Sequence, residues 1–483
     1  MAAARAHSIM KKYDNNLVVI GAGSAGLVTA LIAATVRARV TLVEKHKMGG
    51  DCLNTGCIPS KALIRSAKIA HYHNNAEQYG LASHEPEVDF AKVMARIHSA
   101  IRTIEPKDSV ARYTELGVNC VMGEARLLDK HHVRVGSKVL STRNIVLATG
   151  AVPVVPPIEG LKSASPLTSD NLWELQTLPQ RLLVLGGGPI GCELAQSFSR
   201  LGSRVTLMDM ERALLPREDP DASTFIADVL KSEGVDVRLG HKATRVSGNC
   251  LFAETENGEV SVEFDRILVA VGRRAHTESL DLEAVGLTTA EDGTIPVDAY
   301  LRTDVKNIFA CGDLIGPYQF THMASHQAWF AAVNAMFGMF WKFKANYSVV
   351  PWATYTDPEV ARVGLSETEA LARGLPVDVV RYDLGDLDRA IVDGTAQGWV
   401  KVITPRGKDR ILGATIVGAH AGELIGELVL AMTHGLGLKK IMATIHIYPT
   451  LNEASKFAAG SWRRKNAPER LIGWVEKLHT LLR

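Results

Sequence analysis

An excess of either charge is missing from this 483-residue chain: 54 Lys and Arg stand against 52 Asp and Glu, a net charge of +2. That balance gives no reason to expect nucleic acid or an anionic membrane as the main partner. Cysteine is scarce as well. Six cysteines (52, 57, 120, 192, 250 and 311) in so long a chain do not make an extracellular disulfide framework. Residues 1 to 13 lack a long apolar run, so neither a secretory leader nor a membrane span is expected there. Low-complexity segments and solenoid repeats are also absent. The expected compartment is the cytoplasm, where a close cysteine pair is more often catalytic than structural. Length alone suggests about three domains of ~150 residues.

What the chain does contain is one unit used twice. Leu17 to Ile20 reads as a short apolar strand; Gly21, Gly23 and Gly26 follow, then an Ala/Leu/Ile-rich helix and a strand ending at Glu44. Such glycines make the turn and let the backbone approach a pyrophosphate at the positive helix N-terminus. Glu44 lies 18 residues after Gly26, near the ~20 expected of an acid that binds a ribose hydroxyl. The second copy has Arg181 to Leu185, then Gly186, Gly188 and Gly191, a helix, and Asp209, again 18 residues on. One such motif is a weak signal, but two with matched spacing imply two dinucleotides. Asp209 favours NAD over NADP, because a carboxylate accepts from a free 2′-hydroxyl and repels a 2′-phosphate. Arg212 nearby keeps NADP possible.

The close cysteine pair, Cys52 and Cys57, directly follows the first unit. A redox-active flavin is therefore expected at that unit and a nicotinamide at the second. In a regular helix, residues five apart have Cα atoms roughly 8 to 9 Å from each other, beyond the ~7 Å a disulfide tolerates. The segment must be distorted, and Gly56 relaxes the backbone between the thiols. Pro59 and the run from Lys61 predict a helix that begins just past Cys57.

Asn144 to Gly150 reads as a strand closing on a small-residue turn. Pro153, Pro156 and Pro157 then mark a linker. Asn307 to Asp313 is another strand closing on an acid, followed by a predicted helix over Thr321 to Met339. Asp313 suits a ligand of a ribityl chain, and the N-terminus of that helix suits negative charge on a reduced flavin. From Asn346 alternating runs suggest an α+β domain. Near the end, Leu471, Trp474, Val475, Leu478 and Leu482 share one helical face. Packing on the body or a dimer mate would cover it, and so would a membrane-surface dock.

The motifs at residues 49 to 61, 186 to 193, 311 to 313 and 355 to 359 together resemble those of the FAD-dependent pyridine nucleotide-disulfide oxidoreductases, from about Leu17 to Trp462. The resemblance implies an α/β fold: two doubly wound dinucleotide-binding domains and a C-terminal α+β dimerisation domain. The expected boundaries are 1–157 and 285–345 for FAD, 158–284 for NAD(P), 346–466 for dimerisation and 467–483 for the amphipathic helix. A homodimer is expected, with the tail motif of one subunit completing the site of the other. Cys57 would contact the flavin, Cys52 would exchange with a small disulfide or a metal ion, and Lys61 would pair with Glu193. Flavin contacts would extend over Gly21, Gly23, Ser24, Ala25, Gly26, Glu44, Lys45, Gly50, Lys61, Ala125, Thr149, Gly150, Gly312 and Asp313. Those of the nicotinamide nucleotide would involve Gly186, Gly188, Ile190, Gly191, Glu193, Asp209, Gly272 and Arg273.

The tail departs from the pattern. Disulfide reductases of this family place a His directly before the Pro, five residues ahead of a Glu. Here Tyr448 holds that place ahead of Glu453, and His446 lies two residues earlier. A phenol with an ordinary pKa near 10 is a poor general base for a thiol. Mercuric reductases have a Tyr near this place, but the C-terminal Cys pair they carry has no counterpart after Cys311. The expected activity is transfer of electrons between NAD(H) and a small disulfide or dithiol, with metal-ion reduction as the alternative and a non-catalytic redox sensor as a third reading. No resident metal is expected.

Overall fold

The computed structural model describes residues 13–84 and 87–483; residues 1–12, read above for a leader, lie outside them. The first sheet places five strands in parallel, in the order Val118–Met122, Val40–Glu44, Asn15–Ile20, Lys138–Leu147 and Ile308–Ala310. An antiparallel ribbon, Ala125–Asp129 with His132–Val135, extends it from the start of Lys138–Leu147. Leu17, Val18 and Val19 are wholly buried. Their unbroken apolar run is what a parallel strand covered on both faces requires. Successive side chains point to opposite faces, so Leu17 and Val19 join one core and Val18 and Ile20 another. Each such burial contributes about 1.5 to 3 kcal/mol.

The helix Ser24–Thr35 packs on the helix Thr321–Phe337 through small residues, Ala25, Ala30 and Ala33 against Ala324, Ala328 and Ala331. Alanines at that contact let the two helix axes approach closely. In this way a segment some 300 residues downstream in the chain is held beside the first glycine turn.

A second parallel sheet runs Asp236–Arg238, Arg204–Met208, Arg181–Leu185 and Arg266–Val269, with the antiparallel strands Lys242–Ser247, Cys250–Thr255 and Gly258–Glu263 alongside. Two short strands, Ala151–Pro153 and Arg273–Ala275, pair antiparallel where the chain leaves the first sheet and where it comes back. The last sheet is fully antiparallel, in the order Pro351–Thr354, Glu359–Gly364, Gly413–Gly418, Trp399–Pro405 and Val377–Asp383. The helices Ala421–Thr433 and Glu453–Lys465 pack on it.

A buried ionic cluster ties these parts together. Asp357 accepts from Lys68 and from Arg200, each at 2.9 Å, and Arg200 also reaches Glu233 at 2.6 Å. The predicted helix from Thr321 ends at Phe337 rather than Met339. The C-terminal helix Glu469–Leu481 has no buried residue, which excludes packing of its apolar face on the body of the same chain.

Candidate active site

The two glycine units repeat each other atom for atom. Gly21 and Gly186 have φ of 102° and 117°, a left-handed region that favours glycine. A Cβ on Gly26 would stand 1.7 Å from the Gly21 carbonyl oxygen, and one on Gly191 would stand 1.8 Å from that of Gly186. Only glycine lets the helix approach its strand this closely. In front of the helix N-termini the backbone is bare. A Cβ on Gly188 would meet nothing within 4 Å, and one on Gly23 would meet only Gly50.

The acids at the strand ends brace these turns. Glu44 accepts from the Ala22 N–H at 2.7 Å and the His46 N–H at 2.8 Å. Asp209 accepts from Gly187 and from the Glu211 N–H at 2.8 Å. Glu44, Lys45, Ala125 and Thr149 line one cavity together with Gly21 and His276. His276, which the sequence did not point to, receives a Thr149 hydroxyl on its carbonyl and faces Lys45 Nζ across 3.0 Å. Ser24 and Ala25 open the first glycine helix, and Ile190, partly exposed, lies in the first turn of the second, Pro189–Arg200. Gly150 and Gly272 flank the paired linker strands, and Arg273 reaches from there to Asp51 and to the Ala151 carbonyl.

Asp313 has no hydrogen-bond or ion-pair partner among the described residues, and burial pushes its carboxyl up to about 6. The neighbouring Gly312 N–H is held by Gln327 at 2.7 Å. A half-buried carboxyl left without a partner is costly, and a polyol hydroxyl would satisfy it. Bare helix N-termini, strand-end acids and this carboxyl fit a flavin dinucleotide at the first unit. Gly186 to Asp209 fits a nicotinamide dinucleotide at the second.

The dithiol segment breaks between its cysteines. The helix Gly50–Asn54 carries Cys52 and ends with the Thr55 and Gly56 N–H groups both on the Asp51 carbonyl. Trp173 caps the break by donating to Thr55 O at 2.8 Å. The next helix, Cys57–Asn74, starts at Cys57 itself, earlier than Pro59 suggested. A proline is tolerated anywhere in a first turn, where its missing N–H has no helical partner to lose.

Cys57 is thus the first residue of one helix, and its sulfur lies 3.4 Å from the hydroxyl of Thr321, the first residue of another. Two helix N-termini meet at one sulfur, a setting that favours the thiolate. The Cys57 thiol is pulled down to about 6, first by the hydrogen bond from Cys52, then, against the cost of burial, by Thr321 and the charge of Lys61. The same hydrogen bond, with burial, pushes the Cys52 thiol up.

Behind Cys57, Lys61 Nζ donates to Glu193 Oε2 at 2.9 Å, and the Tyr355 N–H donates to Glu193 Oε1 at 2.8 Å. Burial alone would lower the Lys61 ammonium, but the Glu193 charge and hydrogen bond outweigh it and leave it raised. The ammonium also lies 4.3 Å over the Tyr355 ring. Thiolate, ammonium and carboxylate therefore stand in a row.

A pH prediction follows from the depressed Cys57 thiol. In the two-electron-reduced enzyme, long-wavelength thiolate-to-flavin absorbance should be full above pH 7 and half lost near pH 6. Thr321→Val should move that midpoint upward. Spectra of the NADH-reduced protein across pH 5 to 8 check both, and a midpoint that ignores Thr321 would remove it from the site.

The tail residues are kept apart from this centre within one chain. His446 Nε2 lies 2.9 Å from Glu427, Tyr448 donates to Asp388 at 3.0 Å, and Glu453 accepts from the Thr450 N–H at 3.2 Å. Glu453 hydrogen-bonds neither His446 nor Tyr448, and the Asp388 hydrogen bond pushes the Tyr448 phenol up further. No three His, Cys, Asp or Glu among the described residues cluster so as to hold a metal ion.

Two nucleotide cradles flanking a paired thiol with a depressed pKa define a flavin- and nicotinamide-dependent oxidoreductase. Residues 15–328 match the pyridine nucleotide-disulphide oxidoreductase family, and residues 350–459 match that family's dimerisation domain. The chain belongs to this family. It is 36% identical over 443 residues to a dihydrolipoyl dehydrogenase of Chlamydia muridarum, covering 90% of this chain and 94% of that one. It is 35% identical over 457 residues to a mercuric reductase of Streptomyces lividans, covering 92% and 95%. Among solved structures it superposes on the HOCl-induced flavoprotein disulfide reductase RclA of Escherichia coli with a TM-score of 0.82 and 29% identity, over 92% of this chain and 99% of the other. The protein is accordingly an enzyme that uses FAD and NAD(P)H and acts on sulfur groups or metal ions. No helix among the described residues is long and apolar enough to cross a membrane.

Proposed function

We propose that this enzyme draws electrons from NADH and delivers them through the Cys52 and Cys57 pair to a small disulfide. The observation that carries this reading is the row formed by Cys57, Lys61 and Glu193. FAD, when bound, supplies the two-electron relay between the nicotinamide and the thiols. Cys57 holds the thiolate that faces the relay; Cys52, the higher-pKa thiol, carries the proton and exchanges with the acceptor. The Lys61 cation favours negative charge next to it, and Glu193 fixes where that cation sits. NADH is favoured over NADPH by Asp209 and by the pairing of Arg212 with Glu256, which already answers the nearest positive charge.

The tail of one subunit completes the site of the other in this reading. Soft metal-ion reduction is the second reading, with Cys52 and Cys57 as thiolate ligands of the substrate ion. It is favoured by the state of the tail. His446 is engaged by Glu427, and Tyr448, with its raised pKa, is unfit to take a proton from a thiol at neutral pH.

Turnover measured with lipoamide, glutathione disulfide, Hg(II) and Cu(II), each with NADH and NADPH, separates the two readings. Tyr448→His should raise the rate on a disulfide substrate by roughly 10²-fold, the scale of one positioned acid/base group. An unchanged disulfide rate in Tyr448→His, with fast Hg(II) or Cu(II) reduction in the parent, would overturn the disulfide reading. A colourless protein without bound flavin would overturn both.

A further inference from the structure

The helix Glu469–Leu481 lies beyond residue 459, where the match to the dimerisation domain ends. Most apolar residues of the helix, and Leu482 directly after it, are left in water: Leu471 is 55% exposed, Trp474 62% and Leu482 75%, while Val475 is half-buried. With Val475 and Leu478 they follow the spacing i, i+3, i+4, i+7, i+11, one continuous stripe along the helix. The charge around this stripe differs from that of the chain as a whole. Residues 463–483 hold six Arg and Lys (463, 464, 465, 470, 477 and 483) against two Glu (469 and 476), a surplus of four. The entire chain has a surplus of only two, so the rest of the molecule is slightly acidic.

We propose that this C-terminal segment is an in-plane anchor that docks the enzyme on an anionic lipid surface. A partly apolar, basic helix with a tryptophan on its apolar face has the composition of helices that lie at the boundary between headgroups and acyl chains. Arg470 and Lys477 are seven residues apart and border the stripe on the Trp474 side, where their stems can lie along the apolar zone while the charged ends meet phosphate. The cluster Arg463, Arg464 and Lys465 ends the preceding helix and adds charge at the same end of the molecule. Glu453–Lys465 itself is anchored on the last sheet through Ala454, Ala458 and Trp462. The basic turn is therefore rigidly attached to the body, and the helix after it extends away.

The occupant is a bilayer rather than a second copy because the segment is basic and a copy would bring the same charge to the same face. Net repulsion between like surfaces opposes that pairing, whereas anionic headgroups attract each added Lys or Arg.

The test is cosedimentation of the full-length holoenzyme with vesicles of phosphatidylcholine alone or mixed with phosphatidylglycerol. The enzyme should pellet with the anionic vesicles at low salt, stay in solution with the neutral ones, and be released as salt is raised. Arg470→Gln with Lys477→Gln should weaken partitioning roughly 30-fold. Trp474→Ser with Leu478→Ser should reduce it to background while NADH turnover in solution stays unchanged. Failure to pellet with phosphatidylglycerol overturns the proposal, and so does pelleting that neither double variant alters. A fall in the mass of the assembly on Trp474→Ser with Leu478→Ser would assign the stripe to a second copy and overturn it equally.

Discussion

Replacing Cys57 by serine is expected to abolish the long-wavelength absorbance of the enzyme altogether, while Cys52→Ser is expected to show that absorbance without any reductant. The asymmetry comes from the site itself. Only Cys57 has its thiol lowered to about 6, and only Cys57 lies at the meeting of two helix N-termini, 3.4 Å from Thr321. In Cys52→Ser the serine hydroxyl replaces the Cys52 thiol as hydrogen-bond donor, so the Cys57 thiolate keeps its main stabilising contact. In Cys57→Ser the raising contributions of Cys57 go with its side chain, but burial still disfavours a thiolate at position 52, and no sulfur remains at the meeting of the two helix N-termini. Both variants lose disulfide turnover by on the order of 10³-fold or more, since two thiols that act as a unit fail together when either is removed. Visible spectra of the two purified variants decide the matter. A band that survives in Cys57→Ser and is lost in Cys52→Ser would exchange the two roles.

The largest effect on stability is expected from Arg200→Ala, at about 3 to 5 kcal/mol. The Arg200 side chain is only 5% exposed and holds both Glu233 and Asp357. Its removal leaves two carboxylates in poorly solvated places with Lys68 alone to answer Asp357. The sign of the pH dependence follows from Asp357. Burial tends to raise its pKa, but Arg200 and Lys68 outweigh burial and leave it lowered. The pairing therefore contributes in full above the unfolded carboxylate pKa near 4 and is lost as pH falls through the depressed folded value. The gap between parent and Arg200→Ala should narrow as pH drops below about 4. Denaturant titrations at pH 7 and below pH 4 measure it. A gap under 1 kcal/mol at pH 7 would show that solvent already screens this cluster. Turnover should fall too, because Asp357 stands two residues from Tyr355, whose N–H holds Glu193.

Sequence and structure agree where the cause is local. The two glycine units were legible because strand, turn and helix N-terminus impose fixed spacings, and the same steric contacts recur at Gly26 and Gly191. The break between Cys52 and Cys57 was legible from disulfide geometry set against helix geometry. The following helix, read as starting just past Cys57, starts at Cys57 itself, because Pro59 marks a first turn without saying which position in that turn it takes. The helix begun by Thr321 was legible as a neighbour of the flavin, but the contact of the Thr321 hydroxyl with Cys57, and the parts played by Tyr355 and His276, were not. These three residues stand 264, 162 and 231 residues from Cys57, Glu193 and Lys45, and only tertiary packing joins them to those groups. The tail was half legible. The displaced His was visible in the sequence, but the engagement of His446 by Glu427 and of Tyr448 by Asp388 depends on contacts across 19 and 60 residues.

The row of Cys57, Lys61 and Glu193 has a consequence for the protein while it is being made. Glu193 follows Lys61 by 132 residues, and Thr321 follows Cys57 by 264. Synthesis proceeds from the N-terminus, so Cys57 leaves the ribosome together with Cys52 and Lys61 but long before Glu193 and Thr321. Until Thr321 has emerged and the helix it begins has docked, Cys57 has its local partner Cys52 but lacks the Thr321 hydroxyl that lowers its thiol further. The full lowering of the Cys57 thiol is thus reached only in the finished molecule.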